Sequence, residues 1–451
     1  MEAKKQTIIF VLIAVISTAA IAAGVTYVLV APTTETPEEV DALEIYHWWT
    51  SGGEAAAITA LVDVFEGLYP TTTVQEVQIA GGGGFEMRVK IKTLMLAGQP
   101  PDTFQIHNGY EWKIFYDAGL LNNIDNIWTP ALKAVIPDVV EDISKGADGH
   151  YYAVPVNIHR SNVLWYNAKV LQYNGINPAT LTTWQAFWDA CDTIVGNGTS
   201  GITAPVAMGE QWTAAHAFEQ VLASVGIDTY EAWINGEINS GSATHYADLL
   251  NACEIYDNLT NYINADWAVL SWDSAIARLI SATPTAAFAI MGDWANGEFY
   301  QAGWTHGVDY GTMGVPGTGN MYGLVVDCFE KPKNILHPTS VDHWLGVVAS
   351  KAGQDAFNPL KGSISARTDA DTLLYGAYQQ SAMADFNTIA TTGNMFPSVV
   401  HGSGAPEAFN SDFIPLIGDL TSGAATTSAT ATAIAALAVT YASDFTKTWS
   451  L

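Results

Sequence analysis

Short strand-like runs alternate with helix-length apolar stripes along most of this chain, and that alternation restricts the fold to layered α/β architectures. Ile58, Leu61, Val62, Phe65 and Leu68 recur at helical spacing and stop at Tyr69-Pro70. A strand is expected over residues 73–79, followed by a glycine run from Gly81 to Gly84. Met87, Ile91, Leu94 and Met95 form a second stripe, halted by Gly98 and Pro100-Pro101. Residues 102–107, 151–156 and 285–291 read as further strands, and the alternation predicts that strands run parallel. Thr182 with Gln185 predicts a capping box ahead of Trp184, Phe187, Trp188, Cys191 and Val195. Tyr246, Leu249, Leu250, Cys253 and Tyr256 mark a later helix, and the Thr/Ala-rich tail over 421–442 reads as another, too polar to span a membrane.

The first 31 residues set the expected location. Lys4 and Lys5 precede an almost unbroken apolar stretch over residues 7–31, long enough to cross a bilayer. A small-residue cleavage site exists at Ala20-Ile21-Ala22, but apolar residues continue past it, so a retained N-terminal transmembrane helix is expected. Residues 32–42, with Pro32, Pro37 and several Thr and Glu, read as an extended linker holding the body at the extracellular face. The 45 acidic residues against 17 basic ones give a net charge of −28, which argues against a nucleic-acid partner, since phosphates need Lys and Arg. Three cysteines do not make a disulfide scaffold. Cys191 and Cys253 fall on apolar helix faces, where buried thiols are the default and a single bridge the alternative. Asn197-Gly198-Thr199 and Asn258-Leu259-Thr260 are sequons for N-glycans, usable only on an exported surface.

Signatures of catalysis are missing. The glycine run has no following Gly-Lys-Ser/Thr, no histidine spacing suits zinc, and no Gly-x-Ser-x-Gly elbow occurs, so no cofactor or metal is called for. What does recur is polar and aromatic residues at strand ends, where open α/β sheets bind ligands. Trp48 and Trp49 lead into Thr50, Ser51 and Glu54. Two adjacent indoles on a strand point to opposite faces, so one can be core while the other faces a cleft. Gln105 with His107, and Asn157 with His159, are each two residues apart and share a face. Asp293 and Trp294 end another strand. A lone histidine or tryptophan is more often a core residue. The concentration of indoles and hydroxyl-binding groups instead suits a sugar, which has flat apolar faces and a polar rim.

Five blocks carry a family resemblance: PPDTFQIHNG (100–109), VPVNIHRSNVLWY (154–166), IMGDWANG (290–297), FNPLKGSISAR (357–367) and SVVHGSGAPEAF (398–409). Together they resemble the extracellular glucose-binding proteins of ABC importers, within the family-1 solute-binding proteins. The resemblance covers about residues 43–441. It implies a two-lobed periplasmic-binding-protein-like (flytrap) fold of class α/β with three hinge crossings, near Pro155, Met291 and Phe357. One lobe would then hold residues 43–154 and 292–356, and the other 155–291 and 357–451.

The resemblance also implies ligand-binding residues. Trp48, Trp49 and Glu54 match the family's WW-x-x-x-x-E start, and Gln105 and His107 its Q-x-H strand. Trp272 matches the second-lobe stacking tryptophan, while Asp293 (beside Trp294), Lys361 and His401 match hydroxyl-binding positions. Asn157 and His159 sit at the first hinge, and Arg160 points to the other strand face as a structural residue. The expectation is a non-enzymatic protein that captures glucose or a similar hexose and delivers it to an ABC permease in the membrane. Two alternatives stand beside it. One is a glycoside hydrolase using Asp293 with Glu54 or Glu407, which needs two carboxylates roughly 5–10 Å apart. The other is a surface structural protein with a vestigial cleft.

Overall fold

The first strand, β1 (Ala42–His47), buries Leu43 and Ile45 completely and pairs in parallel with β2 (Thr73–Gln78) and β3 (Thr103–His107). The computed structural model describes residues 41–198, 201–238 and 243–445. The anticipated anchor and most of the linker lie outside the described residues, and among those described no helix is long and apolar enough to cross a membrane.

Between β1 and β2 the helix Gly52–Leu68 buries Ala57, Ile58, Leu61, Val62 and Phe65, as the apolar spacing predicts. It ends at Tyr69 because Pro70 follows and cannot donate to the ladder. The helix Lys351–Lys361 packs along it. β3 is buried over all five residues, as befits a central strand covered on both faces. The sheet is completed by β4 (Ala153–Pro155) and β11 (Asp327–Glu330), in the order β2-β1-β3-β11-β4. β11 runs antiparallel to both neighbours, so the sheet is mixed rather than parallel throughout as anticipated.

Two further sheets form from later chain. One has the order β12-β10-β5, from Met395–Pro397, Tyr322–Val325 and His159–Arg160. The other has the order β7-β8-β6-β9, from Val206–Ala207, Phe288–Ile290, Val163–Asn167 and Tyr310–Gly314. The pairing corrects the anticipated lobe boundaries. β9 lies beside β6, and β10 beside β5, so residues 310–325 belong with the second half and not with a first lobe spanning 292–356. The helix Ala295–Gln301, just after Met291, packs on the first-sheet helix Gly52–Leu68, and a further passage into the first sheet occurs between Val325 and Asp327. A crossing at Phe357 would fall inside the helix Lys351–Lys361. That helix ends at Gly362 (φ 93°), and the bridge between Ile158 and Ile364 marks where the chain crosses instead. The two-lobed α/β arrangement stands, with its boundaries shifted.

Two local expectations change as well. The helix Trp184–Gly196 is capped by Thr183, whose side chain accepts from Ala186 N, and Gln185 donates to Asp189. The Thr182 capping box does not form, because the threonine one residue later takes the role. Cys191 and Cys253 are buried free thiols, so no bridge joins them. The Thr/Ala-rich tail forms the helix Thr427–Thr440.

Candidate functional site

Ends of several strands converge on one cavity of about 230 Å³. Trp48, Trp49 and Glu54 reach it from the end of β1, His107 from the end of β3, and His159 from β5. Trp294 comes from the turn after β8, Lys361 from the last turn of its helix, and Trp272 and His401 from the second half of the chain. The anticipated residues are thus largely brought together. Trp48 packs on the His107 ring at 5.0 Å, and Trp294 on His401 at 4.8 Å. Trp49 is fully buried against Phe357 and Phe329, so its indole serves the core while Trp48 faces inward.

Gln105, Asn157 and Asp293 do not line the cavity. Gln105 and Asn157 donate to Asp327, at 3.0 and 2.7 Å, and so hold that carboxylate from two sides. Both oxygens of Asp293 are occupied, one by His159 Nδ1 and the other by the Arg160 backbone N–H at 2.9 Å. Asp293 is therefore not the hydroxyl acceptor anticipated but the orienter of His159. Asp293→Asn should consequently lower thermal stability and sugar affinity together, by at least about 1.5 kcal/mol each, the lower end for a charged hydrogen bond. Melting curves beside ligand titrations check this; a loss of affinity at unchanged stability would return Asp293 to the ligand. Arg160 faces away, donating to Asp385 and to Met321 O, as a structural residue should.

Asp327 is the residue that the strand-end reading missed. It lines the cavity, 3.3 Å from His159 Nε2 and 3.8 Å from His107 Nε2. Burial would raise its pKa, but the hydrogen bond and charge of His159 outweigh that and hold the carboxyl well below its usual range. His159 responds in the opposite sense. Burial lowers it, yet Asp293 and Asp327 together raise its pKa above the ordinary value. Trp212, Glu210, Ser271 and Asp273 also line the cavity. Trp212 and Glu210 follow β7, so the same strand-end signal marks them once that two-residue strand is seen.

Lys361 donates to Glu54 at 2.9 Å, and Ser51 donates to the other Glu54 oxygen. Both charges are buried and mutually paired. His107 is fixed on its far side by Glu111, which is in turn paired with Arg88. The glycine run supplies a wall that only glycine allows. Gly84 has φ 72°, and a Cβ there would sit 2.4 Å from Trp48.

His401 is held neutral, because burial and the neighbouring histidines push its pKa far below the ordinary value. Its Nδ1 lies 2.8 Å from Ser398 Oγ. Ser398 Oγ also bonds Glu219, so this chain engages the Nδ1 side of the ring and leaves Nε2 for other partners. That Nε2 is buried without a hydrogen-bond partner, a costly state that a ligand hydroxyl would relieve. Glu219 accepts from Tyr230, Ser398, Val399 N and Val400 N, clamping the loop that carries His401. Burial nonetheless pushes its pKa up to about 7. A folded state that keeps a proton the unfolded chain releases near pH 4.3 loses stability as pH rises from there through 7. Thermal melts from pH 5 to 8 should thus show a decline in stability that Glu219→Gln flattens. Parallel slopes in the two proteins would contradict it.

The hydrolase constellation does not form. Asp293 is shut away from the cavity, Glu54 is committed to Lys361, and Glu407 is paired with Lys92 outside the cavity lining. Among the described residues no cluster of His, Cys, Asp and Glu could hold a metal.

Comparison with known proteins agrees with a binding role. The family model for bacterial extracellular solute-binding proteins matches residues 49–355. An uncharacterized ABC transporter extracellular-binding protein of Pyrococcus horikoshii is 39% identical over 386 residues, covering 85% of this chain and 84% of that protein. A protein of Brucella melitensis described as a probable sugar-binding periplasmic protein is 32% identical over 377 residues, 82% and 86% of the two chains. Among solved structures, the bacterial solute receptor AcbH, described as exclusively preferring β-D-galactopyranose, superposes with a TM-score of 0.73 at 18% identity, over 89% of this chain and 98% of that one. Members of this family bind substrate rather than transform it. With a matched model over most of its length and relatives above 30% identity, the chain belongs to the bacterial extracellular solute-binding proteins.

Proposed function

We propose that this protein captures one monosaccharide, glucose or a close stereoisomer, and delivers it to the permease of an ABC importer. The observation that carries the reading is a cavity of about 230 Å³ lined by Trp48, Trp272, Trp294 and His401, the last with a buried Nε2 that has no hydrogen-bond partner. A volume below the roughly 300–1,000 Å³ of drug-sized sites suits a single pyranose ring. In this reading the indoles cover the C–H faces, and His107, His401 and Asp327 take hydroxyls. Gln105, Asn157, His159 and Asp293 hold Asp327 and His159 in place. Trp49 and the Glu54–Lys361 pair form the rigid wall behind them. The two lobes close about the crossings at residues 156–158, 325–327 and 362–364, by hinge bending rather than refolding. Tethering through residues 7–31, and N-glycans at Asn197 and Asn258, belong to the same proposal for a protein displayed outside the cell.

A thermal-shift screen of the body (residues 42–451) against monosaccharides and disaccharides tests this, because a ligand bound only by the native state raises the melting temperature. Glucose or galactose should raise it in a saturable way. No response to any hexose would leave the vestigial-cleft alternative standing.

A further inference from the structure

Behind His401 runs a chain of hydrogen bonds that ends on a buried acid. Ser398 and His401 follow β12, while Glu219 belongs to the helix Gln211–Val225 and is fully buried. Ser398 Oγ sits between the two, 2.8 Å from His401 Nδ1 and 3.1 Å from Glu219 Oε2. A serine hydroxyl has one proton to give, so it donates either to the imidazole or to the carboxyl. Ionised Glu219 can only accept. Its Oε1 then takes Val399 N–H and the Tyr230 hydroxyl, and its Oε2 takes Val400 N–H and the Ser398 hydroxyl. With the Ser398 proton so committed, the neutral His401 ring must hold its own proton on Nδ1 to meet Ser398, and Nε2 is an acceptor. A proton on Glu219 Oε2 reverses the chain: Glu219 donates to Ser398, Ser398 donates to Nδ1, and the ring proton sits on Nε2. Nothing on the far side of the ring opposes either arrangement, since among the described residues Nε2 has no hydrogen-bond partner.

We propose that Glu219 is a positioning residue for ligand recognition, which through Ser398 decides whether His401 meets the ligand as a hydrogen-bond acceptor or as a donor. The ligand half of this rests on the monosaccharide reading of the cavity that His401 lines. Both states lie within reach of neutral conditions, because burial pushes the Glu219 carboxyl up to about 7. The titratable groups around His401 are His216 on the Glu219 helix, His107 and His159 at strand ends, and Arg88 with its partner Glu111. Burial keeps His216 neutral, with its pKa lowered to about 3, and does the same for His401. The charge on His159, whose pKa is raised by Asp293 and Asp327, does not pass through Ser398. Removing the Ser398 hydroxyl therefore separates the effect of Glu219 from that of His159.

Nitrogen NMR of the full-length protein carrying labelled histidine tests the relay without any ligand, the His401 signals being assigned by their loss in His401→Gln. At about pH 8 the protonated nitrogen of His401 should be Nδ1, and by about pH 6 the proton should have moved in large part to Nε2. Ser398→Ala should abolish that exchange, and Ser398→Thr, which keeps the hydroxyl, should retain it. One tautomer at both pH values would mean that the Glu219 proton goes to Tyr230 and would overturn the inference. A doubly protonated His401 at about pH 6, or an unaltered exchange in Ser398→Ala, would overturn it too. Titrations with glucose and its monodeoxyfluoro derivatives read the consequence, since a fluorine can accept a hydrogen bond but cannot donate one. The derivative whose fluorine replaces the hydroxyl at His401 should gain roughly fivefold in affinity relative to glucose between about pH 8 and about pH 6, and lose that gain in Ser398→Ala. A fixed ratio for every derivative, beside a proven exchange, would overturn the claim that His401 meets the ligand. No glucose binding at either pH, beside the same exchange, would overturn the monosaccharide reading and leave the relay standing.

Discussion

Replacing Asp327 with alanine is expected to lower stability by about 3–5 kcal/mol, the cost of removing one partner from a buried charge pair, and to abolish sugar binding. Asp327 is the point at which four other residues meet. Gln105 and Asn157 donate to it, and His159 and His107 approach it from the sheet ends. Without it, His159 keeps a raised proton affinity toward Asp293 alone, while the amides of Gln105 and Asn157 lose their acceptor. The effect should depend on acidity. A carboxylate held below its unfolded pKa contributes stability that is present above about pH 4 and lost as pH falls through the folded value. The wild type should therefore lose its advantage over the alanine variant progressively in acid. Denaturant unfolding at neutral pH and again at about pH 3 checks both parts. A stability difference below about 1 kcal/mol at neutral pH would show that Asp327 is not the organising charge.

Trp272→Ala is expected to weaken sugar binding by roughly 2–4 kcal/mol, the range of an aromatic hot spot, or about 30- to 1,000-fold. Trp272 begins the helix Trp272–Ile280 after Ser271, whose hydroxyl donates to Ser274 and accepts from no backbone N–H of the first turn. It lines the cavity from the second half of the chain, whereas Trp48 and His107 reach it from the first, so the expected loss is that of a stacking surface for the proposed sugar. Titration against the sugar that stabilises the wild type measures the loss. Wild-type affinity in the variant would place the ring outside the pocket.

The parts of this molecule that were legible in the sequence are those governed by local periodicity. The stripe from Ile58 to Phe65 became a helix because apolar residues at that spacing can be buried only on one helical face. Strand-end logic singled out Trp48, His107, His159 and Trp294, which do line one cavity, because residues at strand ends project beyond the sheet. Asp327 escaped because its neighbours Val325, Val326, Cys328 and Phe329 make it look like an ordinary polar interruption in a strand. Its role depends on β11 inserting antiparallel between β3 and β4, a pairing across more than 150 residues that no local pattern encodes. Asp293 was misread for a related reason. A carboxylate after a strand suits a sugar hydroxyl and a histidine equally well, and His159 lies 134 residues away. The lobe boundaries failed at the same level, since only the register of β9 against β6 reveals to which sheet residues 310–314 belong.

Capture of a single hexose between the two halves is most directly measured by calorimetric titration of glucose, then galactose, into the body of residues 42–451. One sugar per protein should bind, with a negative heat-capacity change from burial of the indole faces, and binding should vanish in Asp327→Ala. A folded wild-type protein that takes up neither hexose, or takes up several per chain, would contradict the assignment of this cavity as a monosaccharide site.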